Sequence, residues 1–246
     1  MTQRIEQQAH AHREMMASVA HDLRTPLTAL HGHLEALSAP PTAAVPDATE
    51  AAESGRHQQR VLNAALAQSN TVRRLSQQLF ELAALQSDHP VLHRERFNLD
   101  ELVTDAVQKF ELGQQPPPVT LTGTPPGPLA LDGDLQLIER ALTNLIDNAM
   151  RHAPGPQPVR MSLRREGRQA QILVEDAGPG LPAELLDRLD DQSSLRDPPI
   201  WRSSGGIGGL GLAIAQRVAL LHGGSLLPLP APQGGTRLCL ALPLAS

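Results

Sequence analysis

His21, Asp22 and Thr25 stand close together in Ser18-Val19-Ala20-His21-Asp22-Leu23-Arg24-Thr25-Pro26-Leu27, where the apolar residues repeat at helical spacing. An imidazole with a reference pKa of about 6.5 keeps a free nitrogen at neutral pH, and that nitrogen can attack a phosphoryl group. A carboxylate that accepts the ring's other N–H fixes the tautomer and stabilises the imidazolium that develops, which is the role open to Asp22. On a helix Thr25 lies one turn beyond His21, so its hydroxyl shares the histidine's face. Pro26 has no N–H to give the carbonyl of Asp22, and a kink is expected beside the histidine.

A second cluster runs from Asp134 through Arg140-Ala141-Leu142-Thr143-Asn144-Leu145-Ile146-Asp147-Asn148-Ala149-Met150-Arg151-His152. Asn144, Asn148, Arg151 and His152 fall on one helical face, and Leu142, Leu145, Ile146 and Ala149 fall on the other. Amide oxygens are weak neutral ligands suited to a Mg²⁺ ion that already carries phosphate oxygens, and a neighbouring arginine can meet phosphate. A third cluster, Val174-Glu175-Asp176-Ala177-Gly178-Pro179-Gly180, closes a buried strand with a carboxylate that can accept the exocyclic amine of adenine. There Gly178 and Gly180 let the backbone approach a ring. A fourth, Gly205-Gly206-Ile207-Gly208-Gly209-Leu210-Gly211-Leu212, is a loop feeding a helix N-terminus, whose open N–H groups suit phosphate. Either glycine cluster alone fits an ordinary turn; the order and spacing of all four carry the reading.

Composition removes several competing chemistries. The chain has 246 residues, 40% of them hydrophobic and 19% charged, enough for one large domain or two small ones with real cores. The only lysine, Lys109, lies in Val107-Gln108-Lys109-Phe110, outside any Gly-x-x-x-x-Gly-Lys-Ser/Thr loop, so a P-loop is excluded. A formal net charge of −5 and 2% aromatic residues leave neither the basic field nor the stacking platforms that nucleic-acid binding needs. The single cysteine, Cys239, excludes an internal disulfide framework and a multi-cysteine zinc site, and reads as the filler of an apolar strand slot. No run approaches the roughly 20 apolar residues that cross a bilayer, since Leu210 to Leu221 is interrupted by Gln216 and Arg217. The N-terminus is too polar for a signal peptide, and a reducing, cytoplasmic setting is expected.

The elements that must position these groups follow from periodicity. Val19, Leu23, Leu27, Leu30, Leu34 and Leu37 form one helical stripe; Val61, Ala65, Val72, Leu75, Leu79 and Leu82 form a second, running to Gln86. The Pro- and Ala-rich stretch from Ser38 to Gly55 between them reads as a loop. A hairpin of two such helices cannot cover its own apolar faces, and a dimeric four-helix bundle would. Beyond Asp88-His89-Pro90 the pattern changes to helices at Leu99–Leu112, Asp134–His152 and Leu210–Leu221. Strands are expected at Val119–Thr122, Val159–Arg164, Ala170–Glu175, Ser225–Leu229 and Thr236–Leu242, with a turn at Gly167. The Gly-, Pro- and Ser-rich stretch from Ala177 to Gly208 reads as a mobile lid. The expectation is a helical hairpin over 1–90, followed over 91–246 by an α+β two-layer sandwich with one mixed sheet and helices on one face.

Taken together the four blocks resemble the transmitter of a two-component sensor histidine kinase. His21 to Leu27 looks like its H-box and Asn144 to Ala149 its N-box. Asp176 to Gly180 looks like its first glycine box and Gly206 to Leu212 its second. The resemblance implies a dimerisation and phosphoacceptor hairpin, then the ATP-binding sandwich shared with gyrase, the heat-shock chaperone and mismatch-repair ATPases. It implies His21 as phosphoacceptor, Asp22 as its acid–base partner, and Thr25 as an aid to water attack on a phosphorylated response regulator. It also implies Asn148 as the Mg²⁺ ligand, Asn144 and Arg151 on the ATP phosphates, His152 as a ring against the nucleotide, and Asp176 on adenine. Gly178, Gly180, Gly206, Gly208, Gly209 and Gly211 would be the glycines around the nucleotide. The partners implied are a receiver domain, a second copy of the chain and an upstream or membrane-tethered sensor, which Gln3 to Arg13 could join as a coiled coil. The water-activating branch of the superfamily carries a glutamate where this chain has Asn144, which disfavours a freestanding ATPase. Two departures, Ile207 in a glycine slot and no lid phenylalanine between Leu185 and Gly205, keep open a non-catalytic or phosphatase-only dimeric regulator. Leu189 or Trp201 is the available substitute.

Overall fold

A computed structural model of the chain describes residues 23–38, 48–86, 90–111, 118–125, 127–153, 155–180, 209–231 and 234–245. His21, Asp22, Gly206, Gly208, the 181–208 stretch of the expected lid with Ile207 and Trp201, and the expected kink at the Asp22 carbonyl lie outside these residues, as does the segment Gln3–Arg13. The chain separates into two compact units, Met1–Phe80 and Glu81–Ser246.

The first unit holds two helices, α1 (23–38) and most of α2 (Ala48–Leu85). The loop expected from Ser38 to Gly55 is therefore shorter: the second helix starts at Ala48. The stretch Ala48-Thr49-Glu50-Ala51-Ala52-Glu53 is rich in strong helix formers, and Gly55 has open space around it, so nothing there breaks the backbone ladder. On α2 the expected stripe is the inner one, with Ala65 and Leu75 buried and Val61, Val72 and Leu79 half-buried. On α1 the stripe is much barer. Leu27 is 47% and Leu34 48% exposed, with Leu62 and Leu66 of α2 also exposed, so a single copy leaves apolar surface uncovered on both helices.

The second unit begins with the last residues of α2, where Arg140 Nε donates to Glu81 Oε2 at 2.8 Å and Arg217 Nε to the Leu85 carbonyl at 2.8 Å. Its body is a five-stranded mixed sheet in the order β2-β4-β5-β7-β6, formed by β2 (Val119–Gly123), β4 (Val159–Glu166), β5 (Gln169–Asp176), β6 (Ser225–Leu229) and β7 (Thr236–Pro243). β2 and β4 are parallel and every other neighbour pair is antiparallel. Helices α3 (Leu99–Glu111), α4 (Leu135–His152) and α5 (Gly209–Leu221) pack on it. The turn between β4 and β5 puts Gly167 at φ +58, the left-handed region that a tight hairpin needs.

Two strands went unforeseen. β1 (Glu95–Asn98) and β3 (Ala130–Gly133) pair antiparallel as a separate ribbon, so the unit has two sheets rather than one. Each is four residues long and neither shows a sustained alternation, so their pairing is set by neighbours and not by local pattern. Cys239 takes the place expected of it, buried in β7, and burial pushes its thiol pKa up.

The end of β3 meets the end of α5 closely. A Cβ built on Gly133 would lie 2.8 Å from His222 Cδ2 and 3.0 Å from Ile138 Cδ1. The ring cannot retreat, because both its nitrogens are hydrogen-bonded to backbone. Gly133→Ala is expected to destabilise the second unit by about 1–3 kcal/mol; a chemical denaturation midpoint equal to that of the parent chain would contradict this.

Candidate functional site

Helix α4 is built to start and stop where it does. Asp134 caps its N-terminus, the side chain accepting from Leu137 N at 3.1 Å, a cap interaction worth about 1 kcal/mol. Arg151 and His152 stand in the last turn, where cations face the negative end of the helix dipole. Ile138, Ala141, Leu142, Leu145, Ile146 and Ala149 are buried, and so are two amides, Asn144 at 4% and Asn148 at 7% exposure. Asn148 Oδ1 has no hydrogen-bond partner among the described residues. A buried acceptor left in that state costs about 1–3 kcal/mol, so this oxygen is a candidate ligand atom.

Asp176 ends β5 and is also buried. Because β5 and β7 are antiparallel, its register partner is Thr236, the first residue of β7. Asp176 Oδ1 accepts from Gly178 N at 2.8 Å and from Thr236 N at 3.2 Å. Both bonds fall on Oδ1, and among the described residues Oδ2 takes no hydrogen bond. The glycines allow the chain to close around this carboxylate. A Cβ at Gly178 would sit 2.6 Å from the His152 carbonyl and 2.8 Å from Asp176 Oδ1. Gly180 has φ +85 and packs on Gly235, which has φ +82 and would place a Cβ 1.9 Å from the Asp176 carbonyl.

The approach of Gly178 to His152 brings the loop after β5 against the end of α4. The helix that carries Asn144 and Asn148 thus ends against the loop that carries Asp176. Of the residues expected from sequence, Asp176, Gly178 and Gly180 stand at the end of β5 with Gly178 against the His152 carbonyl, while Asn144 and Asn148 lie buried on α4 and Arg151 and the His152 side chain are exposed at its end. Gly209 and Gly211 lie in the first turn of α5. Thr25 lies in the first unit on the exposed side of α1. Sequence reasoning missed Gly235 and Thr236; the pair of glycines directly ahead of a strand, Gly234-Gly235-Thr236, was the available signal. It also missed the paired use of Asp134 and His222. Lys109 takes no part: it pairs with Glu139 across α3 and α4, and that hydrogen bond and charge raise its pKa.

Gly178→Ala is expected to weaken nucleotide binding at least tenfold. Both obstacles to the new methyl are tied down, one being backbone and the other a carboxylate with two hydrogen bonds, so the loop after β5 must shift. Equilibrium titration with a fluorescent ATP analogue measures it.

Among the described residues no group of three or more His, Cys, Asp or Glu side chains could hold a metal ion, and no helix is long and apolar enough to cross a membrane. Residues 11–88 match the His Kinase A (phospho-acceptor) domain, and residues 133–246 match the histidine kinase-, DNA gyrase B- and HSP90-like ATPase family. The chain is 30% identical over 233 residues to the sensor-like histidine kinase SenX3 of Mycobacterium tuberculosis, covering 95% of this chain and 54% of that protein. It thus spans about half the length of that curated relative. Its fold is that of the Acinetobacter baumannii histidine kinase AdeS (TM-score 0.63, 22% identity, 92% of this chain and 98% of that one). It is also that of the histidine kinase ThkA, solved in complex with response regulator protein TrrA (TM-score 0.67, 19% identity, 98% of this chain and 64% of that one). A phosphoacceptor-type helical unit followed by an ATPase-type sandwich, matched by models of both domains, makes this chain a member of the two-component sensor histidine kinases, in their transmitter region.

Proposed function

We propose that this chain transfers the γ-phosphoryl group of ATP to His21 and passes it on to an aspartate of a response-regulator receiver domain. In this assignment residues 1–90 are the dimerisation and phosphoacceptor domain and 91–246 the ATP-binding domain. The observation that carries it is the buried Asn148 Oδ1, without a partner among the described residues, on a helix whose end abuts the Asp176 loop. That pairing offers a cation ligand and an adenine acceptor in one site without a lysine.

Asp176 Oδ2 accepts the exocyclic amine of adenine, while Oδ1 stays committed to Gly178 and Thr236. The triphosphate then runs toward Asn144, Arg151 and the glycines Gly206, Gly208, Gly209 and Gly211, with His152 against the nucleotide. Asn148 fits a Mg²⁺ ion: a neutral amide oxygen is adequate where phosphate oxygens supply the charge, and a bound Mg²⁺ would neutralise charge on the phosphates. His21 supplies the lone pair. A nitrogen–phosphorus bond forms as the bond from the γ-phosphorus to the β,γ-bridging oxygen breaks and ADP departs, with Asp22 holding the imidazole's other N–H. In the second step that N–P bond breaks and an acyl phosphate forms on the receiver's aspartate. Thr25 is assigned to orient water when the phosphorylated regulator is hydrolysed. The exposed Leu27, Leu34, Leu62 and Leu66 fit a homodimer in which a second hairpin completes a four-helix bundle. We place the region in the cytoplasm, driven by a sensor elsewhere in the protein or in a partner.

Incubating the chain with γ-labelled ATP and Mg²⁺ tests this. The expected product is protein-bound label that is labile to acid and stable to alkali, and that moves to a receiver domain on addition. Steady release of inorganic phosphate with no labelled chain would replace this reading with a freestanding ATPase.

A further inference from the structure

His222, directly after α5, is 3% exposed, and the chemistry assigned to the nucleotide site makes no use of it. Its Nε2 lies 2.9 Å from the backbone nitrogen of Asp134, and its Nδ1 lies 2.8 Å from the carbonyl oxygen of Val218. An amide N–H can only donate and a carbonyl can only accept, so Nε2 must be the bare nitrogen and Nδ1 must carry the proton. The ring is thus neutral, in a single tautomer. It joins the residue that caps α4 to the last turn of α5. Arg94, ahead of β1, braces the same joint, donating to the carbonyls of Asp132 and Leu221. The Asp134 carboxylate accepts from the backbone of His93 and of Leu137.

We propose that His222 is a positioning residue of the nucleotide site: its neutral imidazole ties the head of α4 to the end of α5 and thereby sets where Asn148 stands relative to the glycines that begin α5. The inference rests on the assignment of those residues to the nucleotide. Its mechanical basis is leverage. Asn148 lies about 21 Å along the helix from Asp134 at 1.5 Å per residue, so a tilt of about three degrees at the head moves it by about 1 Å. A displacement of that size is enough to take a donor or a ligand atom out of bonding range.

The joint is also sensitive to acid. Protonated at Nε2, the ring would turn a donor toward the Asp134 N–H, and that N–H would lose its acceptor. Burial holds the His222 pKa below the ordinary imidazole value. The charged groups facing it are the Arg94 guanidinium, which pushes it further down, and the Asp134 carboxylate, which pulls it up along with the Val218 carbonyl. Above the unfolded value of about 6.5 the contribution to stability is fully present; as pH falls from there toward the lower folded value, the unfolded chain takes up a proton that the native chain refuses, and the contribution is lost.

The test uses the whole chain with a fluorescent ATP analogue, titrated from about pH 5.5 to about pH 8, across the imidazole range. His222→Leu keeps the volume but removes the acceptor, and is expected to bind about tenfold more weakly at every pH. His222→Gln offers an acceptor oxygen near the Nε2 position and is expected to recover most of the affinity that His222→Leu loses. Nitrogen-15 NMR of the parent at neutral pH should show Nδ1 protonated and Nε2 bare. The inference is overturned by the opposite tautomer, by an imidazolium at neutral pH, or by His222→Leu binding as the parent does. It is overturned equally by a folded His222→Gln chain that binds about tenfold more weakly than the parent. A parent chain that binds no nucleotide would bring down the site assignment and this inference with it, whereas binding by the parent with an indifferent His222→Leu brings down the inference alone. Should His222→Leu fail to fold, the tautomer and the affinity of His222→Gln decide.

Discussion

His21→Gln should leave the chain unlabelled after incubation with γ-labelled ATP, a fall of at least about 1000-fold, because glutamine has no lone pair on nitrogen to offer phosphorus. ATP affinity should stay at the parent value, since the residues assigned to the nucleotide are carried by 91–246. The complementary variant, Asn148→Asp, puts a carboxylate where the buried, unpartnered amide oxygen now lies. Charge repulsion with the triphosphate should lower ATP affinity by about 100-fold or more, with loss of labelling as the consequence. Mixing the two variants then reads the route. Label on the Asn148→Asp chains means that one subunit phosphorylates its partner, and an unlabelled mixture means transfer within a subunit. Label that persists in His21→Gln alone would remove His21 from the role assigned to it.

The second large effect is expected at Asp176. Its two carboxylate oxygens have different proposed roles, and Asp176→Asn separates them. An asparagine keeps an oxygen at Oδ1 for Gly178 N and Thr236 N, so the loop should hold and thermal stability should change little. The other position becomes an NH₂ group aimed at the adenine amine, donor against donor. The loss of one charge-assisted hydrogen bond and the stranding of a buried donor together are worth about 3 kcal/mol, or roughly 100-fold in ATP affinity. GTP carries a carbonyl where ATP carries the amine, so this variant should lose far less for GTP than for ATP. Isothermal titration with both nucleotides checks it, and an equal loss for both would place Asp176 away from the base. Asp176→Ala should fail more broadly, in nucleotide binding and in thermal stability, because Gly178 N and Thr236 N then lose their acceptor.

The main helices and strands were legible because each repeats a pattern over many residues. The stripe on α4 fixes both its buried face and the position of Asn144 and Asn148 on it, and the alternation in β4 marks a strand with one buried side. The ribbon of β1 and β3 was not legible, since four residues with mixed exposure carry no period of their own. The start of α2 was misread for a related reason: the prolines at 40, 41 and 46 end before Ala48, and alanine- and glutamate-rich sequence beyond them is helical whatever precedes it.

The types and spacing of residues around Asn148 and Asp176 suffice to suggest the chemistry proposed for them, because amides, a carboxylate and glycines at helical and strand spacing are local features of the sequence. Their assembly is a matter of tertiary structure alone. Asp176 meets Thr236 because β5 and β7 pair antiparallel across 60 residues of intervening chain, and Gly178 meets His152 because no Cβ intervenes. His222 reaches Asp134 over 88 residues. No local pattern encodes such pairings, since they join groups far apart in the chain that meet only once the core has closed and buried backbone groups need partners.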